Sequence, residues 1–113
     1  MLVADDNIDA GESLAMLLRL DGHEVELASN GAQAVELFER MKPEIAILDI
    51  GMPGLNGYEV ARRIRQKARD VTLIAVTGWG QEADKARAAA SGFDHHFTKP
   101  VEPGVLSALV GKE

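Results

Sequence analysis

Five stretches of the chain are apolar enough, and punctuated enough, to be strands. Leu2 to Ala4, Ile45 to Leu48 and Val71 to Val76 are near-continuous apolar runs, the pattern of strands buried on both faces. Phe93 to Thr98 is a weaker run, and His23 to Leu27 alternates polar and apolar positions. Between these runs the apolar period lengthens to that of a helix. Ala34, Leu37, Phe38 and Met41 fall at i, i+3, i+4 and i+7, which places them on one face. Leu14, Leu17 and Leu18 mark a first helix from near Asp9, and Val60, Ala61 and Ile64 mark a third from near Gly57. A fourth runs from Gln81 to Ser91, with Ala83, Ala86, Ala89 and Ala90 ahead of a Gly92 that fits a helix stop. A fifth follows Pro103 and carries Val105, Leu106, Leu109 and Val110.

Strand and helix thus alternate five times, with short Gly, Pro and Asn punctuation between them. This order predicts an α/β fold, a doubly wound parallel sheet with helices on both faces. No composition shift, low-complexity segment or repeat beyond the alternation itself divides the chain, so residues 1–113 read as one domain, a fragment of a longer protein. At 113 residues and 46% apolar composition the core is sufficient without staples, since about two thirds of the unfolded surface can be buried at this size.

Charge and composition narrow the function. Twelve Lys and Arg against 18 Asp and Glu leave a net charge of −6, with no basic cluster of the kind that grips a phosphate backbone, so direct nucleic-acid binding is not expected. Cysteine is absent, which removes disulfides, thiolate metal sites and Cys nucleophiles and is compatible with a reducing compartment. The longest uncharged run, Val71 to Gln81, is broken by Gly78 and Gly80 and is far shorter than the ~20 apolar residues of a membrane span. Met1 leads through Leu2-Val3-Ala4 into two aspartates rather than into a signal-peptide pattern.

In an open parallel sheet, ligands bind outside the carboxyl ends of the strands, where strand order reverses. The first strand ends in Asp5-Asp6, the third in Asp49, the fourth in Thr77, and the fifth leads to Lys99. Three carboxylates a few ångströms apart repel by ~1 kcal/mol per pair even at water's dielectric, and by more where partly buried. Lys99 offsets part of this, and a divalent cation suited to hard oxygen ligands offsets the rest; Mg2+ fits, because it accepts a few carboxylates together with water and a phosphate oxygen. A site of that kind invites a phosphoryl group. Asp49, alone after its strand, is the better nucleophile, whereas the adjacent Asp5 and Asp6 are suited to holding the metal. Each residue taken singly has an ordinary reading as well. Asp5-Asp6 can be a helix cap and dipole partner, shared with Asn7 or Asp9, and Asp49 a turn residue; Lys99 can be a solvated surface lysine and Thr77 a plain strand residue. Their joint placement at four strand ends carries the argument.

With these residues in place the sequence resembles a response regulator receiver domain, the CheY-like family of two-component signalling, over essentially its whole length. The resemblance rests on Asp5-Asp6-Asn7, on Leu48-Asp49 followed by Met52-Pro53 and Gly57, on Thr77-Gly78, and on Lys99-Pro100. It implies a flavodoxin-like (βα)5 sheet of strand order 2-1-3-4-5, with Asp49 as phosphoacceptor. It further implies Mg2+ held by Asp5, Asp6, Asp49 and the backbone carbonyl of Gly51, phosphoryl oxygens held by Thr77 and Lys99, and a cis bond before Pro100. The donor it implies is the phosphohistidine of a sensor histidine kinase or of a histidine phosphotransfer domain. The domain would then be a cytoplasmic signalling module rather than a metabolic enzyme, catalysing only its own phosphorylation and dephosphorylation. Its readout face would be helix four, strand five and helix five, a surface that also allows a homodimer. An output domain, or a hybrid histidine kinase, in the same chain fits as well. Two other readings compete. A degenerate receiver that only binds protein is disfavoured because all five key residues are present. A haloacid-dehalogenase-type phosphatase is disfavoured because its acids are spaced Asp-x-Asp and the chain has no room for a cap domain.

The sequence departs from the family pattern at four positions. Gly78 stands where a small residue such as Ala is usual. Gly51 and Trp79 flank the site without a polar side chain to position water, and Trp79 is placed to cover an acyl phosphate, so slow self-dephosphorylation is expected. His96 occupies the position, three before the Lys, where receivers usually carry Tyr or Phe. A histidine is smaller and titrates near neutrality, so the readout is expected to be weaker or pH-sensitive; active-state populations of the parent and His96→Tyr, compared across pH, should differ, and identical profiles would refute it.

Overall fold

A computed structural model describes residues 1–77 and 85–98 of the chain. In order along the chain lie β1 (Leu2–Ala4), α1 (Ile8–Leu20), β2 (Glu26–Ala28), α2 (Gly31–Met41) and β3 (Ile45–Asp49). They are followed by α3 (Gly57–Lys67), β4 (Thr72–Thr77), α4 (Lys85–Ser91) and β5 (His95–Thr98). The strands form one parallel five-stranded sheet in the order β2-β1-β3-β4-β5. Among the described residues the strand–helix alternation read from the sequence and the strand order implied by the resemblance are both present. Residues 81–84 of the expected fourth helix, and the whole of the fifth after Pro103, lie outside the described residues.

β1, β3 and β4 are buried almost end to end, as their apolar runs require, and their side chains alternate between two cores. Leu2, Ala4, Leu48, Leu73 and Ala75 face one core, completed by Ala34 and Phe38 of α2, by Tyr58, Val60, Ala61 and Ile64 of α3, and by Ala88 of α4. Val3, Ile47, Ile74 and Val76 face the other, where Ala15 and Leu18 of α1 pack. Helices therefore cover both faces. α1 turns a somewhat different face inward than expected: Gly11, Ala15 and Leu18 are buried and Leu14 half-buried, while Leu17 is 40% exposed. Those four follow the i, i+3, i+4, i+7 rule, and Leu17 falls beside the stripe.

Asparagine begins all three longer helices. Asn7, Asn30 and Asn56 are the N-caps of α1, α2 and α3, and their side chains accept from the backbone N–H of Ala10 (3.1 Å), Gln33 (2.8 Å) and Glu59 (3.0 Å). Each satisfies one N–H that the first turn leaves without a helical partner. Two strands start later than their sequence pattern suggests. β2 begins at Glu26, opposite Leu2, and β5 at His95, opposite Ile74. Phe93 is buried before β5 begins, and the Asp94 N–H donates to the Leu73 carbonyl at 2.8 Å, so that part of the segment is a connector hydrogen-bonded to the sheet.

One side chain ties the amino-terminal ends of β4 and β5 to α3. The Arg65 guanidinium donates through Nε to the Gly92 carbonyl (2.9 Å), and through one terminal nitrogen to the carbonyls of Arg69 (3.0 Å) and Val71 (2.6 Å). The other terminal nitrogen donates to the Asp94 carboxylate at 2.6 Å, which also accepts from the Leu73 N–H at 2.9 Å. Gly92 makes room for this arrangement: its φ is +102°, and a Cβ there would come within 2.5 Å of the Arg65 side chain. Because Arg65 is only 21% exposed, its loss strands several carbonyls. Arg65→Ala is expected to lower the unfolding free energy by about 2–3 kcal/mol, and Asp94→Asn, at a half-exposed position, by about 1 kcal/mol. Urea denaturation checks both, and an Arg65→Ala chain as stable as the parent would contradict the assignment.

Candidate functional site

Parallel pairing of β1 with β3 sets Ala4 opposite Leu48, so the residues that follow, Asp5 and Asp49, emerge side by side at the carboxyl ends of the two strands. This is where strand order reverses, because β1 lies between β2 and β3. One oxygen from each of Asp5, Asp6 and Asp49 lies within 4.8 Å of the other two. Asp5 and Asp49 are buried, at 7% and 6% exposed, while Asp6 is open to solvent.

Two similar turns orient the buried carboxylates. Asp5 Oδ1 accepts from the Asn7 N–H at 2.9 Å, and Asp49 Oδ1 accepts from the Gly51 N–H at 3.0 Å. Each is an aspartate bonded to the backbone two residues on, which holds the side chain over the strand end. Asp49 is therefore a turn residue as well as a site residue. The cap of α1 is Asn7, so Asp5 and Asp6 are not spent as helix caps, yet they sit beside the positive end of that helix.

Gly57, which the sequence marks as a helix start and as one of the residues of the family resemblance, has a definite structural task. The first turn of α3 packs so closely on the strand end that a Cβ at Gly57 would stand 2.7 Å from the Asp49 carbonyl oxygen and 2.8 Å from the Ile50 Cα. The Gly57 N–H also donates to the Ile50 carbonyl at 3.2 Å, and the Ile50 N–H to the Val76 carbonyl at 3.0 Å. The backbone carrying Asp49 is thus clamped between β4 and α3. The signal in the sequence was a glycine directly after the capping Asn56.

Thr77 ends β4 and is 1% exposed. Its hydroxyl has no hydrogen-bond partner among the described residues. A buried hydroxyl in that state costs about 1–3 kcal/mol. His96, on β5 opposite Ala75, is partly buried, and its Nε2 likewise has no partner among the described residues, whereas His95 is exposed. The two histidines point apart, so they form no shared metal site. Gly51 is exposed in the turn after β3. Gly78, Trp79, Lys99 and Pro100 lie outside the described residues. The structure thus brings Asp5, Asp6 and Asp49 together and sets Thr77 at the end of a neighbouring strand.

The donor set fits a hard divalent cation. Three carboxylates and no imidazole or thiolate converge, the chemistry that Mg2+ or Ca2+ accepts, and their mutual repulsion falls when a cation sits among them.

Fold and site together define a signalling receiver, and comparison with known proteins agrees. The family model described as the response regulator receiver domain matches residues 1–111. The chain belongs to this family of two-component signalling. It is 38% identical over 112 residues to an uncharacterized 14.6 kDa protein of Leptolyngbya boryana, covering 97% of this chain and 86% of that one. Protein PilH of Pseudomonas aeruginosa is 35% identical over 108 residues, with 94% and 89% covered. Response regulator MprA of Mycobacterium leprae is 33% identical over 100 residues, and there the match spans only 44% of the relative's length. Among solved structures, a CheY-like receiver domain protein from Methanospirillum hungatei superposes with a TM-score of 0.91 at 25% identity, covering 98% of this chain and 89% of that one. A receiver domain protein from Clostridium thermocellum gives 0.89 at 28% identity, with 98% and 90% covered. No helix among the described residues is long and apolar enough to cross a membrane.

The unpartnered Thr77 hydroxyl makes a prediction independent of any ligand. Thr77→Val keeps the shape and removes the orphaned group, so it should raise the unfolding free energy of the resting chain by about 1 kcal/mol. Thermal denaturation would show a higher midpoint; a lower one would mean that the hydroxyl is already satisfied.

Proposed function

We propose that this domain takes a phosphoryl group from the phosphohistidine of a sensor histidine kinase or histidine phosphotransfer domain onto Asp49. The observation that carries the reading is the convergence of Asp5, Asp6 and Asp49 within 4.8 Å at the β1/β3 switch point, with the buried Thr77 hydroxyl on the adjacent strand. In the transfer, an Asp49 carboxylate oxygen attacks phosphorus in line. A P–O bond forms as the P–N bond to the donor imidazole breaks, and the departing nitrogen keeps the electron pair. Asp5 and Asp6, with Asp49 and the Gly51 carbonyl, would hold Mg2+, which would supply positive charge to offset that of the phosphoryl oxygens.

Asp49 is prepared for this step. The Gly51 N–H fixes one carboxylate oxygen, and Gly57 and Val76 hold the backbone behind it, so little orientational freedom remains to be lost. Thr77 donates its hydroxyl to a phosphoryl oxygen, gaining a partner that it lacks among the described residues. Lys99, next in sequence after β5, supplies a second positive group. The new dianionic group draws Thr77 inward, and the segment after β4 repacks against α4 and β5, the face proposed for readout and for pairing of two copies. His96, with its unpartnered nitrogen on β5, stands on that path. Since the match covers only 44% of the length of MprA, an output domain in the same protein is part of the proposal, as is a cytoplasmic location.

Intact-mass measurement after incubation with Mg2+ and acetyl phosphate tests the reading. The expected result is a gain of one phosphoryl group that is labile to base, absent in Asp49→Ala and abolished by a chelator. No gain under any condition would favour a receiver that only binds protein, and steady release of phosphate without an adduct would favour a phosphatase.

A further inference from the structure

Charge is distributed unevenly over this chain. Residues 57–70 hold Arg62, Arg63, Arg65, Lys67 and Arg69 against Glu59 and Asp70, a local net of +3 on a chain of net −6. Two of these cations are paired, Arg65 with Asp94 and Lys67 with Glu39. Arg62, Arg63 and Arg69 are exposed and have no ion-pair partner among the described residues. On α3, Arg62 is three residues from Arg65 and Arg63 four from Lys67, so like charges face one another along the helix at a cost that an anionic partner would relieve.

Arg62 stands at the edge of an open cleft between α3 and α4, with a volume of about 310 Å3, lined by Arg62, Arg65, Gln66, Ala90, Ser91 and Gly92. The two walls differ in chemistry. α3 presents guanidinium and amide donors, whereas α4 presents the exposed small side chain of Ala90. The floor is rigid, because Arg65 is bonded to the Gly92 carbonyl and to Asp94, and the α3–α4 packing is reinforced by the Arg87 guanidinium 4.2 Å above the Tyr58 ring. Arg65 is used up as structure; Arg62 and Gln66 are the donors available to a ligand.

We infer that the α3–α4 cleft docks an acidic segment of a partner protein, with Asp or Glu carboxylates on Arg62 and Gln66 and a small apolar side chain against Ala90. Charge complementarity selects the class of partner. The size of the cleft suits one or two side chains rather than an extended polyanion, and a nucleic-acid duplex or anionic bilayer would also meet the rest of the chain, which is more acidic still. Arg65 bonds to carbonyls that precede β4 and β5, so the cleft lies toward the amino ends of these strands, opposite the aspartate cluster. The inference therefore stands apart from the chemistry of Asp49.

The test uses the 15N-labelled chain and a capped peptide of about 12 residues made of glutamate and leucine, compared with its glutamine–leucine counterpart. The acidic peptide should shift the amide signals of Arg62, Gln66, Ala90, Ser91 and Gly92, with binding that weakens as salt rises from about 50 to about 300 mM. The double variant Arg62→Glu/Arg63→Glu, whose side chains are exposed and unpaired, should melt like the parent and bind about tenfold more weakly or worse. Arg40→Glu, which alters charge on α2 outside the cleft, should bind as the parent does. Equal binding by the double variant, shifts scattered over the surface, or tighter binding to duplex DNA or phosphatidylglycerol vesicles than to the peptide would each overturn the inference.

Discussion

The parallel register between β1 and β3 is the constraint on which the rest depends. Ala4 lies opposite Leu48, so Asp5 and Asp49, the next residue of each strand, reach the carboxyl edge at the same height. A slip of one residue would turn the side chains of β1 to the opposite faces and separate the two carboxylates by a strand step. Both cores resist that slip. Val3 belongs to the core under α1, and Leu2 and Ala4 to the core under α2 and α3, each nearly or wholly excluded from solvent. Hydrophobic burial along these strands, worth about 1.5–3 kcal/mol for each fully buried large aliphatic side chain, is what holds three like charges in proximity.

That proximity makes the strand ends chemically responsive. Asp5 and Asp49 are buried yet oriented by backbone donors, and Thr77 is buried without a partner among the described residues. Three carboxylates and a hydroxyl with no hydrogen-bond partner among the described residues lie on neighbouring strands. Both are poor in an isolated domain, and both improve if a cation and a group with hydrogen-bond acceptors enter together. The resting fold therefore gives up some stability at this edge and recovers it in the burial of β1, β3 and β4 beneath it.

The parts legible in the sequence are those governed by short-range rules. Continuous apolar runs identified β1, β3 and β4, because a strand buried on both faces has few alternatives. The strand-end principle points to Asp5, Asp6, Asp49, Thr77 and Lys99, and the first four lie at the carboxyl edge among the described residues. The less legible parts depend on contacts across the fold. β2 and β5 begin where a neighbouring strand is available, at Glu26 and His95, rather than where the apolar pattern begins. Leu17 lies exposed because the face of α1 that touches the sheet is chosen by Gly11 and Ala15, small residues that local periodicity undervalues. The clamp at Gly57 and the Arg65 network join residues separated along the chain, Arg65 to Asp94 across 29 positions, and nothing in the local pattern marks such pairs.

α4 connects the two regions of opposite charge. It follows, through residues 78–84, the strand that ends in Thr77, and it finishes at Ser91 and Gly92 against Arg65. Its seven described residues span only about 10 Å. The far end is held by the Gly92 carbonyl, the Asp94 carboxylate and the Leu73 N–H, whereas Ala88 is the α4 residue seated in the main core. Tied through Gly92 and Asp94 just beyond its carboxyl end, and packed through Ala88 and through Arg87 over the Tyr58 ring, the described part of α4 is held to α3 by both polar and apolar contacts. The α3–α4 cleft therefore borders the part of α4 that Arg65 ties to the sheet, and the aspartate cluster lies at the opposite, carboxyl edge of the same strands.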